Sequence, residues 1–198
     1  LRISCEKTKA MIIGESQFPA ITINQHDIEY VEKFLYLGSY ISRIGDAEVT
    51  AKIGKAASVF QRLRPIWKAD AISKAVKLRL YTSIVLPTAI YAGETWTKTA
   101  KISKKLDVFH HRCLRTIMGI SWKDHVSNEE LMKRSGMEEL RDIVETRRRR
   151  FAGHVMRLPT ERPARVAMEW TPRNGRRKMG RPRKTWRSTF REDLNAMQ

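Results

Sequence analysis

Apolar and polar positions follow a strand-like pattern near the start of the chain. Between residues 8 and 42, short β-branched and aromatic stretches such as Met11-Ile12-Ile13 and Phe34-Leu35-Tyr36 are closed by glycines. Such runs, with alternation around Ile21 and Ile23, are typical of short strands. We expect three or four strands, too few for a sheet that is stable by itself.

The period changes to helical at Asp46, which suits an N-cap. Pro65 should kink or end this first helix early. The apolar residues recur at the four-three-four spacing of one helix face: Val49, Ile53, Ala56, Phe60, Leu63 and Trp67.

Start and stop signals predict further helices downstream. A second helix should start after Ser73 and run towards Pro87, and a third should start near Ser103 and stop at Gly119. Ser127 opens a capping-box sequence before a short helix that ends before Gly136. The second helix has the apolar stripe Val76, Leu80 and Ile84; the third has Leu106, Phe109, Cys113, Leu114 and Ile117.

Two more apolar stripes complete the helical part of the chain. One comprises Leu140, Ile143, Val144, Phe151 and Val155, and the other comprises Trp186, Phe190 and Leu194. Between them the sequence becomes rich in proline, glycine and arginine, which is typical of an extended linker. The predicted fold is mainly α with a small N-terminal antiparallel β element, and with a helical bundle followed by an extended basic tail. The predicted divisions are residues 1–45, 46–158 and 159–198.

Charge narrows the choice of partner. The 198 residues include 39 lysines and arginines against 21 aspartates and glutamates, a formal net charge of +18. Phosphate backbones of an RNA/DNA or DNA duplex are the expected partner, and an anionic membrane surface is the second candidate. No apolar run approaches the length of a membrane span, so we expect no membrane insertion. The sequence contains no glycine-rich loop of the kind that binds the phosphates of a nucleotide, so we expect no small-molecule ligand.

Cysteine and histidine usage predicts neither disulfides nor a metal site. Cys5 and Cys113 are the two cysteines, which indicates an intracellular protein. A zinc site needs four clustered ligands, and Cys113 with His110 supplies two. We expect Cys113 in a helix core and the histidines exposed.

Adjacent acidic pairs are candidates for binding catalytic metal ions, because two-metal chemistry needs clustered carboxylates. The chain has such pairs at Glu129-Glu130, Glu138-Glu139 and Glu192-Asp193. Each lies in a helical context where neighbouring side chains point to different faces, so we expect solvated surface.

A run of four arginines is the first basic cluster. Arg147, Arg148, Arg149 and Arg150 cover every face of a helix, so at least one should lie near the apolar stripe and extend outward. The alternative is an ordinary solvated face; the uninterrupted positive charge favours phosphate contact.

The second basic cluster, residues 173–187, contains no acid. Generic phosphate binding, minor-groove insertion through Gly180-Arg181-Pro182 as in an AT-hook, and a nuclear-import signal or plain linker all remain open. We expect a nuclear location. The candidate nucleic-acid-binding residues are Arg176, Arg177, Lys178, Arg181, Arg183 and Lys184.

Tryptophan is frequent for this length. Trp67 and Trp186 lie on apolar stripes and should pack helices, whereas others among Trp96, Trp122 and Trp170 could stack on bases or ribose.

Several motifs, taken in order, resemble non-LTR (LINE-type, RTE-like) retrotransposon reverse transcriptases, and the resemblance extends over essentially the whole chain. The segments that carry it are Glu6-Lys7-Thr8-Lys9-Ala10-Met11, Val31-Glu32-Lys33-Phe34-Leu35-Tyr36-Leu37-Gly38-Ser39-Tyr40-Ile41, Tyr91-Ala92-Gly93-Glu94-Thr95-Trp96, Arg112-Cys113-Leu114-Arg115, Gly119-Ile120-Ser121-Trp122, Phe151-Ala152-Gly153-His154-Val155 and Gly180-Arg181-Pro182-Arg183-Lys184-Thr185-Trp186.

The resemblance implies a role for each region. Lys7 matches the motif D lysine at the end of the polymerase palm, near the incoming nucleotide. Tyr36, Leu37 and Gly38 match the primer grip, where a glycine lets a nucleic-acid strand approach. Residues from 46 onward correspond to the helical thumb, which follows the template–primer backbone.

The sequence also departs from that family. The Tyr/Phe-x-Asp-Asp strand, which with an earlier aspartate would hold Mg²⁺ in the parent polymerase, is not among these residues. We therefore expect no cofactor and no polymerase activity in this chain alone. Because it starts at Leu1 without an initiating Met, we expect it to be part of a longer protein. The alternatives are a transposon-derived nucleic-acid-binding protein with a non-enzymatic role, and a non-functional fragment.

Overall fold

A computed structural model describes residues 3–11, 20–42, 46–169 and 186–195. Helices dominate the described residues, and short antiparallel strands precede them, which confirms the predicted fold class. The chain divides into two compact units, Leu1–Ala51 and Lys52–Gln198. Residues 170–185, which include most of the predicted basic linker, lie outside the described residues, and so does most of the Met11–Ile13 run.

The first unit contains two short antiparallel hairpins. Strands β1 (Thr22–Ile23) and β2 (His26–Asp27) form one, and β3 (Lys33–Tyr36) and β4 (Ser39–Ser42) form the other. Both connections are two-residue turns with positive φ at both central residues, the type I′ geometry that matches strand twist.

The first helix ends shortly before Pro65, as predicted, and an additional, short helix begins there. Helix α1 spans Asp46–Arg62 and α2 spans Arg64–Lys68, with Pro65 in the first turn of α2, where its missing N–H is tolerated. The Trp67 ring stacks on Phe60 with centroids 5.0 Å apart, and its Nε1 donates to the Phe60 carbonyl at 2.8 Å. Trp67 is therefore a packing residue, as expected.

The next helical stretch starts where Ser73 predicts but buries a different face. Helix α3 (Lys74–Leu80) continues through a π-helical turn (Tyr81–Val85) into α4 (Leu86–Ala89). The predicted stripe is wrong, since Val76 and Ile84 are exposed and the residues one position later, Lys77, Tyr81 and Val85, are buried.

The shifted stripe is stabilised by polar side-chain ends. The Lys77 ammonium donates to the Trp67 carbonyl at 3.0 Å, and the Tyr81 hydroxyl pairs with the ring of His110 at 2.7 Å. A buried polar group with a hydrogen-bond partner avoids most of the desolvation penalty. A prediction of the buried face from apolar residues alone therefore overlooks a buried polar residue such as Lys77.

Helix α5 (Ala100–Met118) is the longest described helix. It starts three residues before the predicted Ser103, because the Thr99 hydroxyl accepts from the Ile102 N–H at 3.2 Å and caps it. Gly119, at φ +70°, ends it in the left-handed conformation. All five residues of its predicted stripe are buried.

The remaining helices follow the predicted order, except that one forms at Pro163–Glu169, in the stretch after residue 158 that was predicted to be an extended linker. That prediction is wrong for these residues. Ser127 caps α6 (Asn128–Ser135) by accepting from the Glu130 N–H, and Gly136 ends it. A 3₁₀ turn (Trp122–Asp124) precedes it, and α7 (Leu140–Met156), α8 (Pro163–Glu169) and α9 (Trp186–Asn195) follow. Among the described residues, no helix is long and apolar enough to cross a membrane.

Helix α9 docks through aromatic and polar contacts. The Phe190 ring is buried and stacks on Trp186 with centroids 6.0 Å apart, while the Trp186 Nε1 donates to the Glu94 carbonyl at 2.7 Å. Leu194, expected on the apolar face, is 43% exposed, and Asp193 is fully buried instead. The expected solvated surface is thus wrong for Asp193.

Asp193 is the centre of an ion cluster in which it and Arg148 are buried and Lys98 is partly exposed. Its carboxylate lies 2.5 Å from Nη1 of Arg148 and 3.2 Å from Nζ of Lys98, and Lys98 also pairs with Glu145 at 2.6 Å. Burial acts to lower the pKa of Lys98, but hydrogen bonds to Glu145 and Asp193 outweigh it and raise that pKa. The cluster joins α9 to α7 and to the segment before α5.

Replacing Asp193 should destabilise the protein strongly. Asp193→Ala leaves the Arg148 guanidinium buried without its carboxylate, which costs about 3–5 kcal/mol for a pair of this kind. Urea denaturation of the purified chain measures the change. The adjacent, exposed Glu192→Ala is the matched control and should change the free energy of unfolding by less than about 1 kcal/mol.

A double variant tests the cause. Arg148→Met with Asp193→Leu removes both charges and should recover most of the loss, since apolar replacement of a buried pair is often neutral. Equal effects of Asp193→Ala and Glu192→Ala would contradict the assignment.

Candidate nucleic-acid interface

The β3–β4 hairpin in the first unit exposes an apolar tip. Leu35, Tyr36 and Leu37 are 51%, 56% and 75% exposed, although they are large hydrophobic residues. Leu37 and Gly38 form the turn with φ of +48° and +79°, a conformation that glycine adopts freely and leucine rarely does. The residues predicted to form the primer grip, Tyr36, Leu37 and Gly38, therefore lie together at one exposed turn.

Lys7, the other site residue predicted in this unit, lies in a turn that spans residues 5–7 and is exposed. Its neighbour Lys9 pairs with Glu29, and the Cys5 thiol donates to the Ile23 carbonyl. These contacts fix the segment around Lys7 against the β1–β2 hairpin.

The second half of α7 carries an outward basic face. Arg147, Arg150, His154 and Arg157 recur at helical spacing, and all four are exposed. After Glu145 the helix contains no acid, and cations are favoured near a helix C-terminus by its dipole. This face, called the α7 basic face below, presents positive charge that an anionic ligand can reach.

The two central arginines of the run face elsewhere. Arg148 is 3% exposed and paired with Asp193, so its guanidinium is not presented to a ligand. The expectation that the inward arginine would extend to the surface is corrected by this buried pair. Arg149 is half-buried and donates to the Thr146 hydroxyl at 3.2 Å. Phosphate contact from this run is therefore a prediction for Arg147 and Arg150 first.

Six predicted site residues lie outside the described residues. They are Arg176, Arg177, Lys178, Arg181, Arg183 and Lys184. Sequence reasoning missed a further basic surface on α5, where Lys104 and Arg112 are exposed. Their eight-residue separation places them near one helix face, a spacing that a search for charge periodicity would have found.

The arrangement of acids does not resemble a two-metal site. Glu130 pairs with Arg134 at 2.7 Å, Glu139 pairs with His111 at 3.0 Å, and Asp193 is in the ion cluster. Within the described ranges, no group of three or more potential ligands could hold a metal ion.

A catalytic cluster would place a nucleophile beside a base. In the part of the chain that the structure describes, Tyr81, His110 and Cys113 are candidates for such a cluster, and all three are buried. His110 Nε2 faces the Glu138 carbonyl at 3.1 Å and must donate, so Nδ1 accepts from the Tyr81 hydroxyl. This buried role corrects the expectation that His110 is exposed.

The protonation states of these groups indicate structural rather than catalytic roles. Burial lowers the pKa of His110 to about 4, with the charge of His111 adding to the effect. Burial raises the pKa of the Cys113 thiol to about 12 and raises that of the Tyr81 phenol as well. A protonated thiol is a poor nucleophile.

A comparison with known proteins gives one weak similarity. The chain is 26% identical to an uncharacterized transposon-derived protein of Caenorhabditis elegans over 180 residues, which cover 84% of this chain and 62% of that protein. It thus spans about 62% of the length of that relative. No family model matches, and no solved structure matches.

The described residues are thus mainly helical, and the chain is strongly basic. A protein to which it is similar is transposon-derived.

Acid should destabilise the protein through His110. Its pKa falls from an ordinary value near 6.5 to about 4 on folding, so the unfolded chain binds a proton that the folded chain rejects between these values. The free energy of unfolding should decrease by about 3 kcal/mol as pH falls from 6.5 to 4.

NMR titration of the histidine ring protons measures the pKa of His110 in the folded chain, which should be about 4. The His110 resonances are assigned by their loss in His110→Gln. The exposed His154→Gln is the control and should leave the acid destabilisation unchanged. A His110 titration near pH 6.5 would contradict the buried neutral form.

Proposed function

We propose that this chain holds a nucleic-acid duplex by its phosphate backbone, as the thumb and palm-end part of a reverse-transcriptase-like protein of a non-LTR retrotransposon. The observation that supports this most directly is the α7 basic face, four exposed basic residues on one helix face with no acid among them. The net charge of +18 and the similarity to a transposon-derived protein agree with it.

The exposed β3–β4 turn supports the palm-end part of the proposal. An apolar, glycine-containing tip that protrudes from a hairpin can contact the end of a primer strand through backbone and apolar groups. We assign that role to Tyr36, Leu37 and Gly38, and we assign Lys7 to the neighbourhood of the incoming nucleotide. Polymerisation would require Mg²⁺ held by carboxylates of the parent protein, and such a protein would act on nuclear DNA.

A second candidate function is a transposon-derived nucleic-acid-binding protein with a non-enzymatic role. The name of the relative favours transposon origin without specifying an activity. The two candidates differ in sequence preference, because backbone contacts carry little sequence information whereas a regulatory protein needs contacts to base edges. A non-functional fragment is a third possibility, and a cooperative thermal melt would argue against it.

Binding should depend steeply on salt. If about six phosphates are neutralised, log K should fall with log salt at a slope of about −5 on B-DNA. Arg147→Ala with Arg150→Ala should reduce the steepness by about 2 and weaken binding similarly for all sequences. Fluorescence anisotropy at several salt concentrations measures both.

The matched control is Arg64→Ala with Arg79→Ala. It removes the same charge from exposed positions on α2 and α3. Its slope should stay close to that of the unmodified chain. A slope near zero for the unmodified chain would refute the electrostatic grip.

The basic segment after α8 gives a separate prediction. Arg181→Ala with Arg183→Ala should weaken binding to every duplex, because lost phosphate contacts are independent of sequence. Anisotropy titrations on A·T-rich and G·C-rich duplexes of equal length measure this. Loss confined to A·T-rich DNA would favour minor-groove insertion instead.

A further inference from the structure

The turn between α5 and α6 exposes a tryptophan. Trp122 is 81% exposed, whereas Trp67 and Trp96 are 4% and 6% exposed. The Trp186 indole is half-buried and bonded to the Glu94 carbonyl. An indole combines a large apolar face with a polar N–H, and such side chains are enriched at interfaces, so we take Trp122 as a candidate ligand contact.

The turn that carries Trp122 is held rigidly. The Ser121 hydroxyl accepts from the Lys123 N–H at 3.2 Å, and the Ser121 N–H donates to the Asp124 carboxylate at 2.6 Å, which forms a capping box. Arg115 of α5 donates to the Val126 carbonyl at 2.8 Å and to the Asn128 side chain at 2.9 Å. The backbone under Trp122 is therefore fixed before any ligand binds.

A cation lies beside the Trp122 ring, and the helix that precedes the turn carries another exposed cation. The Lys123 ammonium lies 5.9 Å from the centroid of the indole ring, and Arg112 is exposed one turn before Arg115 on α5. The nearby Asp124 is bonded within the turn, and Glu130 pairs with Arg134. An occupant should therefore combine a flat aromatic group with negative charge.

We propose that Trp122 is a stacking platform for an unpaired base of the nucleic acid, with Lys123 contacting a flanking phosphate. The proposal rests on the proposed nucleic-acid grip and adds a contact that a backbone grip lacks. A protein-docking hot spot would be expected among other apolar residues, whereas the neighbours of Trp122 in the turn, Ser121, Lys123 and Asp124, are polar or charged. Base stacking tolerates any sequence, since every base has a π-face.

The test compares a duplex carrying a short single-stranded overhang with the same duplex carrying an abasic overhang. Trp122→Ala should weaken binding to the intact overhang about tenfold, which lies within the range known for base–aromatic stacking. It should leave binding to the abasic overhang and the salt slope unchanged, because stacking releases no counterions. Trp122→Phe retains a ring and should recover most of the affinity.

The control variants separate this proposal from the grip itself. Lys123→Ala should lower both affinity and salt slope, as expected of a phosphate contact. If the unmodified chain ignores both duplexes at low salt, the grip fails. If it binds both steeply but Trp122→Ala binds the intact overhang equally well, stacking alone is overturned.

Two further measurements test whether unfolding or self-association, rather than loss of stacking, explains weaker binding by Trp122→Ala. A thermal melt should show Trp122→Ala as stable as the unmodified chain, since the replaced side chain is exposed. Sedimentation should show the same mass for both. A dimer that Trp122→Ala dissociates would assign the tryptophan to a contact between copies and overturn the stacking proposal.

Discussion

The buried pair of Arg148 and Asp193 is a strong constraint on how α7 and α9 pack in the second unit. Both side chains are almost fully removed from water, so each is tolerated because the other is present. The pair fixes where α9 docks and which way α7 is rotated about its axis. Once Arg148 points inward, Arg147 and Arg150 are carried to the outer face, because successive helix positions differ by 100°. The α7 basic face is thus the outer side of a helix whose inner face buries Arg148 together with Leu140, Val144, Ala152 and Val155.

Local signals in the sequence were sufficient for several helix boundaries, although the start of α5 and the whole of α8 were not predicted. Ser73, Pro65, Gly119 and Ser127 act on the backbone within a few residues of themselves, so their effects could be predicted without a partner. The apolar stripe of α5 was equally predictable, because a long helix shows its period several times.

Buried polar residues were the part that the sequence did not reveal. The partners of Asp193 and His110 lie 45 and 29 residues away along the chain, and apolar periodicity gives such pairs no weight. Asp193 does share the spacing of Trp186 and Phe190, which was the one available signal. For the candidate interface, the sequence indicated which arginines are concentrated but not which of them is buried, and the exposure of Trp122 has no periodic signature.

The use of acids inside the fold bears directly on the proposed function. Asp193, Glu145 and Asp107 pair with cations of the second unit, so part of the limited negative charge is spent on internal contacts. Each pair also neutralises one cation, so the chain keeps its excess of 18 cations over acids, whose mutual repulsion opposes compaction. A polyanion that neutralises them stabilises the folded chain as it binds. Because phosphate contacts and stacking are both indifferent to base identity, such a surface suits a protein that must hold whatever sequence it meets.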